Sequence, residues 1–175
     1  MIKNQLEYEF SKEQAAKFER AIAFLKTDKV QSSREPLALQ SLLDSHQSQL
    51  ESIQDEIAEY ETLIAHDSNE PVVLVLDDIN QLSELLIKAR IALKMTHKEL
   101  AALCDRTEDQ IKSYEQKDYQ NASYLDFMAV INALGIQIHE GNFLASLDDF
   151  YTDRLADIRK AENPNTSSKL LTTEC

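Results

Sequence analysis

Glycine is nearly missing from this chain: 175 residues contain two, Gly135 and Gly141. Proline is scarce at three, and tryptophan is absent. Rossmann folds, phosphate-cradling loops and β-sandwiches spend glycine on turns and close backbone approaches. Those classes are therefore not expected, and a mostly helical chain with short connections is. Two cysteines, Cys104 and Cys175, are too few for a disulfide scaffold, which makes the cytoplasm the default compartment. No apolar run approaches the length needed to cross a membrane. Met1 to Phe10 carry Lys3, Glu7 and Glu9 and no apolar stretch, so a leader peptide is not expected. Positive charge is the last shortage. Eighteen Lys and Arg face 31 Asp and Glu, a net charge of −13 that repels nucleic acid at long range.

Metal and nucleophile motifs are missing too. The four histidines (His46, His66, His97, His139) stand at no ligand spacing. No nucleophile–base pair is visible. The adjacent acids Asp77-Asp78 and Asp148-Asp149 read as caps and solvated charge, so neither an enzyme, a cofactor nor a metal is expected.

What the chain does have is helical periodicity with start signals. Ser11-Lys-Glu-Gln14 reads as a capping box opening a first helix, with Ala15, Phe18, Ala21, Ile22 and Leu25 at helical spacing. Pro36 suits the first turn of a second helix running to about His66. Its seam is Leu39, Leu43, His46, Leu50, Ile53, Ile57, Tyr60 and Ile64, in alternating steps of four and three, a heptad with one polar guest. The second helix outruns the first, so part of the seam needs another cover. That is either a second copy of the chain, as a coiled coil, or the next domain.

His66 to Pro71 reads as a linker, and Val72-Val-Leu-Val-Leu76 is the best strand candidate. Ile136 to His139 alternates and could pair with it. Asp78 and three capping boxes (Thr96 to Glu99, Thr107 to Gln110, Ser123 to Asp126) then start four short helices, with Gly135 where a helix end is expected. From Asn142 a stripe of Leu144, Leu147, Tyr151, Leu155 and Ile158 marks a last amphipathic helix, followed by a polar tail. The fold expected is all-α: a helical hairpin or coiled coil over residues 1–70, a compact four- to five-helix domain over 71–140 with room for one short strand pair, and a helix with a tail over 141–175.

One segment carries a resemblance. Arg90, then Met95-Thr96-His97, Leu100-Ala101, Thr107, Ile111 and Glu115 fall at the spacings of the Cro/repressor-type helix-turn-helix, also called the XRE family. The chain resembles that family over residues 79–136. Lys94 and Asp105 stand where the family usually has glycine, and His97 where it usually has glutamine. The resemblance implies that Arg90 and Glu115 pair internally. It also implies that Thr107 to Glu115 is a recognition helix with Ile111 and Tyr114 facing inward. Gln110, Lys112 and Ser113 would contact bases, and Thr107, His97, Lys98 and Lys117 phosphates.

Charge is divided unevenly along the chain. Residues 1–70 hold seven bases and fourteen acids, whereas residues 81–120 hold seven of each. The candidate DNA face is neutral, with Glu108 and Asp109 in its first turn. The function expected is a sequence-specific DNA-binding regulator, an autoregulating repressor or antitoxin-like protein. It would be a homodimer on a double-stranded operator with half-sites about 34 Å apart. The alternative is an interaction module on the same scaffold that binds a toxin or other basic protein.

Overall fold

The computed structural model describes residues 1–27, 35–76, 78–138 and 145–162. All regular structure among them is helical: α1 (Gln5–Leu25), α2 (Pro36–Ala65), a 3-10 turn (Ile79–Gln81), α3 (Leu82–Ala92), α4 (His97–Leu103), α5 (Glu108–Gln116), α6 (Tyr124–Ala133) and α7 (Asp149–Glu162). The all-α expectation holds, and no helix is long and apolar enough to cross a membrane among the described residues. The described residues divide into two compact units, one up to Ile136 and one from Gln137 on.

The first helix starts earlier than Ser11. Asn4 is the cap: its side-chain oxygen accepts from the Glu7 N–H at 3.0 Å, and the Glu7 carboxylate accepts from the Lys3 N–H at 2.8 Å. The extra turns are held by packing, because Tyr8 stacks on Tyr60 with ring centres 5.2 Å apart. Residues 28–34, between α1 and α2, lie outside the described residues; they include Val30 to Arg34, which the sequence marks as a break.

α1 and α2 run antiparallel. Leu25 packs with Leu39, Phe18 meets His46 edge-on, and Tyr8 meets Tyr60, so positions ascending on one helix descend on the other. This chain covers the heptad seam from Leu39 to Tyr60; its last position, Ile64, is exposed, and Leu63 takes the inward place instead. α1 takes Leu39 to Leu50, while Ile57, Tyr60 and Leu63 pack into the core of the following helices. The geometric case for a coiled-coil partner on this seam therefore falls.

That core is centred on Leu86, Ile87, Leu100, Ile111 and Val130, all fully buried. Leu100 and Ala101 of α4 and Ile111 and Tyr114 of α5 face inward as their spacing predicts. All three capping boxes form with both reciprocal bonds. Asp78 instead caps the 3-10 turn through the Asn80 N–H, and α3 begins without a side-chain cap.

Four helix ends close the same way, and only one uses glycine. The N–H groups of Met95, Arg106, Tyr119 and Ile136 each bond the carbonyl five residues back, at 2.7 to 3.1 Å. The residue before each is left-handed: Lys94 (φ 54°), Asp105 (φ 53°), Asp118 with Tyr119 (φ 48° and 58°) and Gly135 (φ 63°). This is a Schellman-type stop. Non-glycine residues pay a conformational cost there, offset by packing of the next residue. Tyr119, for example, is 5% exposed, between Tyr114 and Phe127.

Val72 to Leu76 is not a strand. It has no regular structure; Val72 and Leu74 dock on the core, while Val73 and Val75 are exposed. The proposed partner strand is diverted, because the Ile136 N–H bonds back to Ile131 within the α6 stop. His139 lies outside the described residues, as do Leu144 and the tail after Glu162.

Candidate nucleic-acid interface

The base of the candidate interface is a buried charged cluster. Arg90 is 7% exposed and Glu115 2%. Arg90 Nε donates to Glu115 Oε1 at 2.5 Å and Nη2 to Oε2 at 2.7 Å, a two-pronged pair. Two further guanidinium N–H groups reach the Met95 carbonyl at 3.1 Å and the Lys3 carbonyl at 3.2 Å. Burial pushes the Glu115 carboxyl up. Hydrogen bonds from His97 and Arg90, with the Arg90 charge, outweigh that and hold it below the usual range. The pair thus ties the end of α3 to the end of α5, as the resemblance implies.

His97 points into this cluster. Its Nε2 lies 3.0 Å from Glu115 Oε2, and because a carboxylate only accepts, Nε2 carries the proton. Only the other ring nitrogen is left for an outside contact.

Lys3 was not singled out by the sequence. Its ammonium donates to the Glu115 carbonyl at 2.8 Å and to Asp118 at 2.7 Å, so the start of the chain braces the end of α5. Ile2 beside it is 3% exposed. An apolar residue followed by a lysine is too common a pattern to have signalled this. Arg106, in the turn between α4 and α5, finds Asp126 at 2.5 Å. The Ser123 hydroxyl, then Arg106 and Tyr114, hold the Asp126 carboxyl down at about 2, against burial.

The outer face of α5 carries the other expected residues. Thr107 Oγ accepts from the Gln110 N–H at 3.2 Å, and Gln110 Oε1 accepts from the Thr107 N–H at 2.9 Å. The Gln110 carbonyl is therefore committed to the cap, while its amide nitrogen stays available. Lys112 pairs with Glu108 one turn away, at 2.7 Å. Their mutual hydrogen bond raises the lysine and lowers the carboxyl. Ser113 Oγ accepts from Asn121 Nδ2 at 3.0 Å, which adds Asn121 to the face. Asp109, Gln110, Lys112, Lys117 and, on α4, Lys98 are exposed. Thr107, Gln110, Lys112 and Ser113 thus share one helix and its cap, Lys117 ends that helix, and Lys98 lies in the first turn of α4.

A face of this kind can offer amide and hydroxyl groups to a partner, plus ammonium groups at its edges. Its own acids neutralise part of that charge. Comparison with known proteins gives no family model, no curated protein and no solved structure that matches this chain.

Proposed function

We propose that this protein is a sequence-specific DNA-binding regulator of the autoregulating repressor or antitoxin type, working in the cytoplasm as two copies that each offer α5 to a major groove. One observation carries the reading. α4 and α5 are two short helices joined by residues 104–107; Glu115 of α5 is held by Arg90 of α3 and His97 of α4, with Gln110, Lys112 and Ser113 turned outward on α5. A single helix with its side chains is about as wide as a major groove, about 12 Å, so α5 alone would enter it. Gln110, Lys112 and Ser113 are the base contacts in this proposal. Thr107, Lys98 and Lys117 contact phosphate, and His97 does so only through its outer ring nitrogen.

A gel-shift assay on the DNA upstream of the protein's own gene tests it. Lys112→Ala should weaken binding by about 1–3 kcal/mol. Binding unchanged by that substitution removes α5 from the reading role. The salt dependence should be shallow, because few phosphate contacts are offered.

A second reading is favoured by Glu108, which holds Lys112, and by Asp109 exposed beside it. These acids suit a basic protein partner such as a toxin. Absence of DNA binding even at low salt would favour that reading.

A further inference from the structure

The start of α1, the ends of α2 and α3 and the start of α4 surround one cavity of about 440 Å³, all of it within the first compact unit. That volume is in the range of sites that hold small organic molecules. Part of its wall is apolar. Ile91 there is buried, Met95 is half-buried, and Ile64, the exposed last position of the α2 seam, stands at the rim.

Two buried donors are left over at this cavity. Tyr60 lines it and is 6% exposed, yet its hydroxyl has no hydrogen-bond partner among the described residues. The Tyr119 hydroxyl is unpartnered too, but it is sealed inside the core, whereas that of Tyr60 is not sealed. Burial pushes the Tyr60 phenol up, against the pull of the Arg90 charge, so it keeps its proton at neutral pH. Arg90 supplies the second donor. Its N–H groups reach Glu115 twice, Met95 and Lys3. A guanidinium has one N–H more than that, here on Nη1, and it has no partner among the described residues.

Charge narrows the ligand. Lys3, Arg90 and Lys94 line the cavity, with Glu108 as the acid among them. Lys3 is answered by Asp118, Arg90 by Glu115, and Glu108 by Lys112. The exposed Lys94 forms no ion pair among the described residues; Asp67 feels its charge from further off. One unanswered ammonium and two neighbouring donors suit a single carboxylate, which accepts through both oxygens. A phosphate monoester brings up to twice that charge, and a chain of net charge −13 repels polyanions at long range.

We propose that this cavity binds a small monocarboxylate with an apolar body. The carboxylate accepts from the Tyr60 hydroxyl and Arg90 Nη1 and faces Lys94, and the body lies against Ile64, Ile91 and Met95. None of Gln110, Lys112 and Ser113 lines the cavity, so the site is separate from the surface proposed for DNA.

Titration of the full chain, followed through backbone amide shifts by NMR, tests this with phenylacetate and hexanoate as probes. Saturable binding of either by about 10 mM, with shifts centred on Tyr60, Ile91 and Met95, is the expected result. Tyr60→Phe keeps the ring and should weaken that binding about tenfold. Lys94→Gln, at the rim, should weaken it about threefold. Phenylacetamide, which lacks the charge, and acetate, which lacks the body, should each bind more weakly than phenylacetate. Failure of both probes to bind overturns the proposal, as does binding that Tyr60→Phe leaves unchanged or shifts confined to another part of the chain. Inorganic phosphate binding more tightly than either carboxylate overturns the ligand class. The titration contains no DNA, so a gel-shift failure strikes the DNA reading alone.

Discussion

The far end of the α1–α2 pair and the α3–α6 core use the same device, apolar side chains at helical spacing, yet they bury it differently. At the far end, among the described residues, Leu25 meets Leu39 with Leu42 and Leu43, half-buried, around them. In the core Leu86, Ile87, Leu100, Ile111 and Val130 are fully enclosed, and a charged pair is enclosed with them. Two helices can cover each other along one line only, and water reaches both flanks of that line. Several helices crossing over a centre close it on all sides. The second arrangement can therefore hold Arg90 against Glu115 at low dielectric, where hydrogen bonds must all be made. The first supplies length at little cost in specificity.

The contrast can be broken most severely at the ion pair. Arg90→Met should destabilise the fold by about 3–5 kcal/mol, because it leaves the buried Glu115 carboxylate facing a single histidine. Urea unfolding measures this, and a loss under 1 kcal/mol would mean the pair is solvated. Next come the apolar centres. Leu100→Ala should cost about 2–5 kcal/mol, and Leu39→Ala should fall at or below the low end of that range, since its surroundings can collapse toward solvent. Equal losses would show that the far end is packed as tightly as the core.

Acid should act on the core first. The Asp126 carboxyl, ordinarily near 3.8, is held at about 2 by Ser123 and then Arg106, and Glu115 is also lowered. A depressed carboxyl stabilises the fold above its unfolded value and loses that contribution as pH falls through its folded value. Unfolding free energy should be level above about pH 5 and fall from about pH 4 toward 2. Asp126→Asn should flatten part of that fall. The smallest effect is a gain: Lys94→Gly relieves a left-handed lysine and should add about 0.5 kcal/mol, read as a raised melting temperature. A loss would mean the lysine stem packs more than its backbone strains.

Much of this was legible in the sequence, for local reasons. A capping box needs only a hydroxyl and a carboxylate or amide three residues apart, so Thr96, Thr107 and Ser123 were readable one by one. Heptad spacing likewise located the α2 seam. Failures came where distant parts of the chain compete. Ser11 is a plausible start, but Asn4 and the Tyr8–Tyr60 stack carry the helix past it. Val72 to Leu76 has strand composition, yet a strand needs a partner, and the Ile136 N–H is taken by Ile131.

The same division holds for the candidate interface. Sequence alone determined that Gln110, Lys112 and Ser113 lie on one helix behind a Thr107 cap, because rotation per residue is fixed by the backbone. It also determined that charge is balanced over residues 81–120 and acidic in the first 70. Only tertiary structure decided that His97 turns inward to Glu115, that Lys112 leans on Glu108, and that Lys3 braces the end of α5. It also decided that four helices could stop with a single glycine among them. Such choices depend on which charge or ring is nearest once the helices pack, and spacing along the chain carries no record of that.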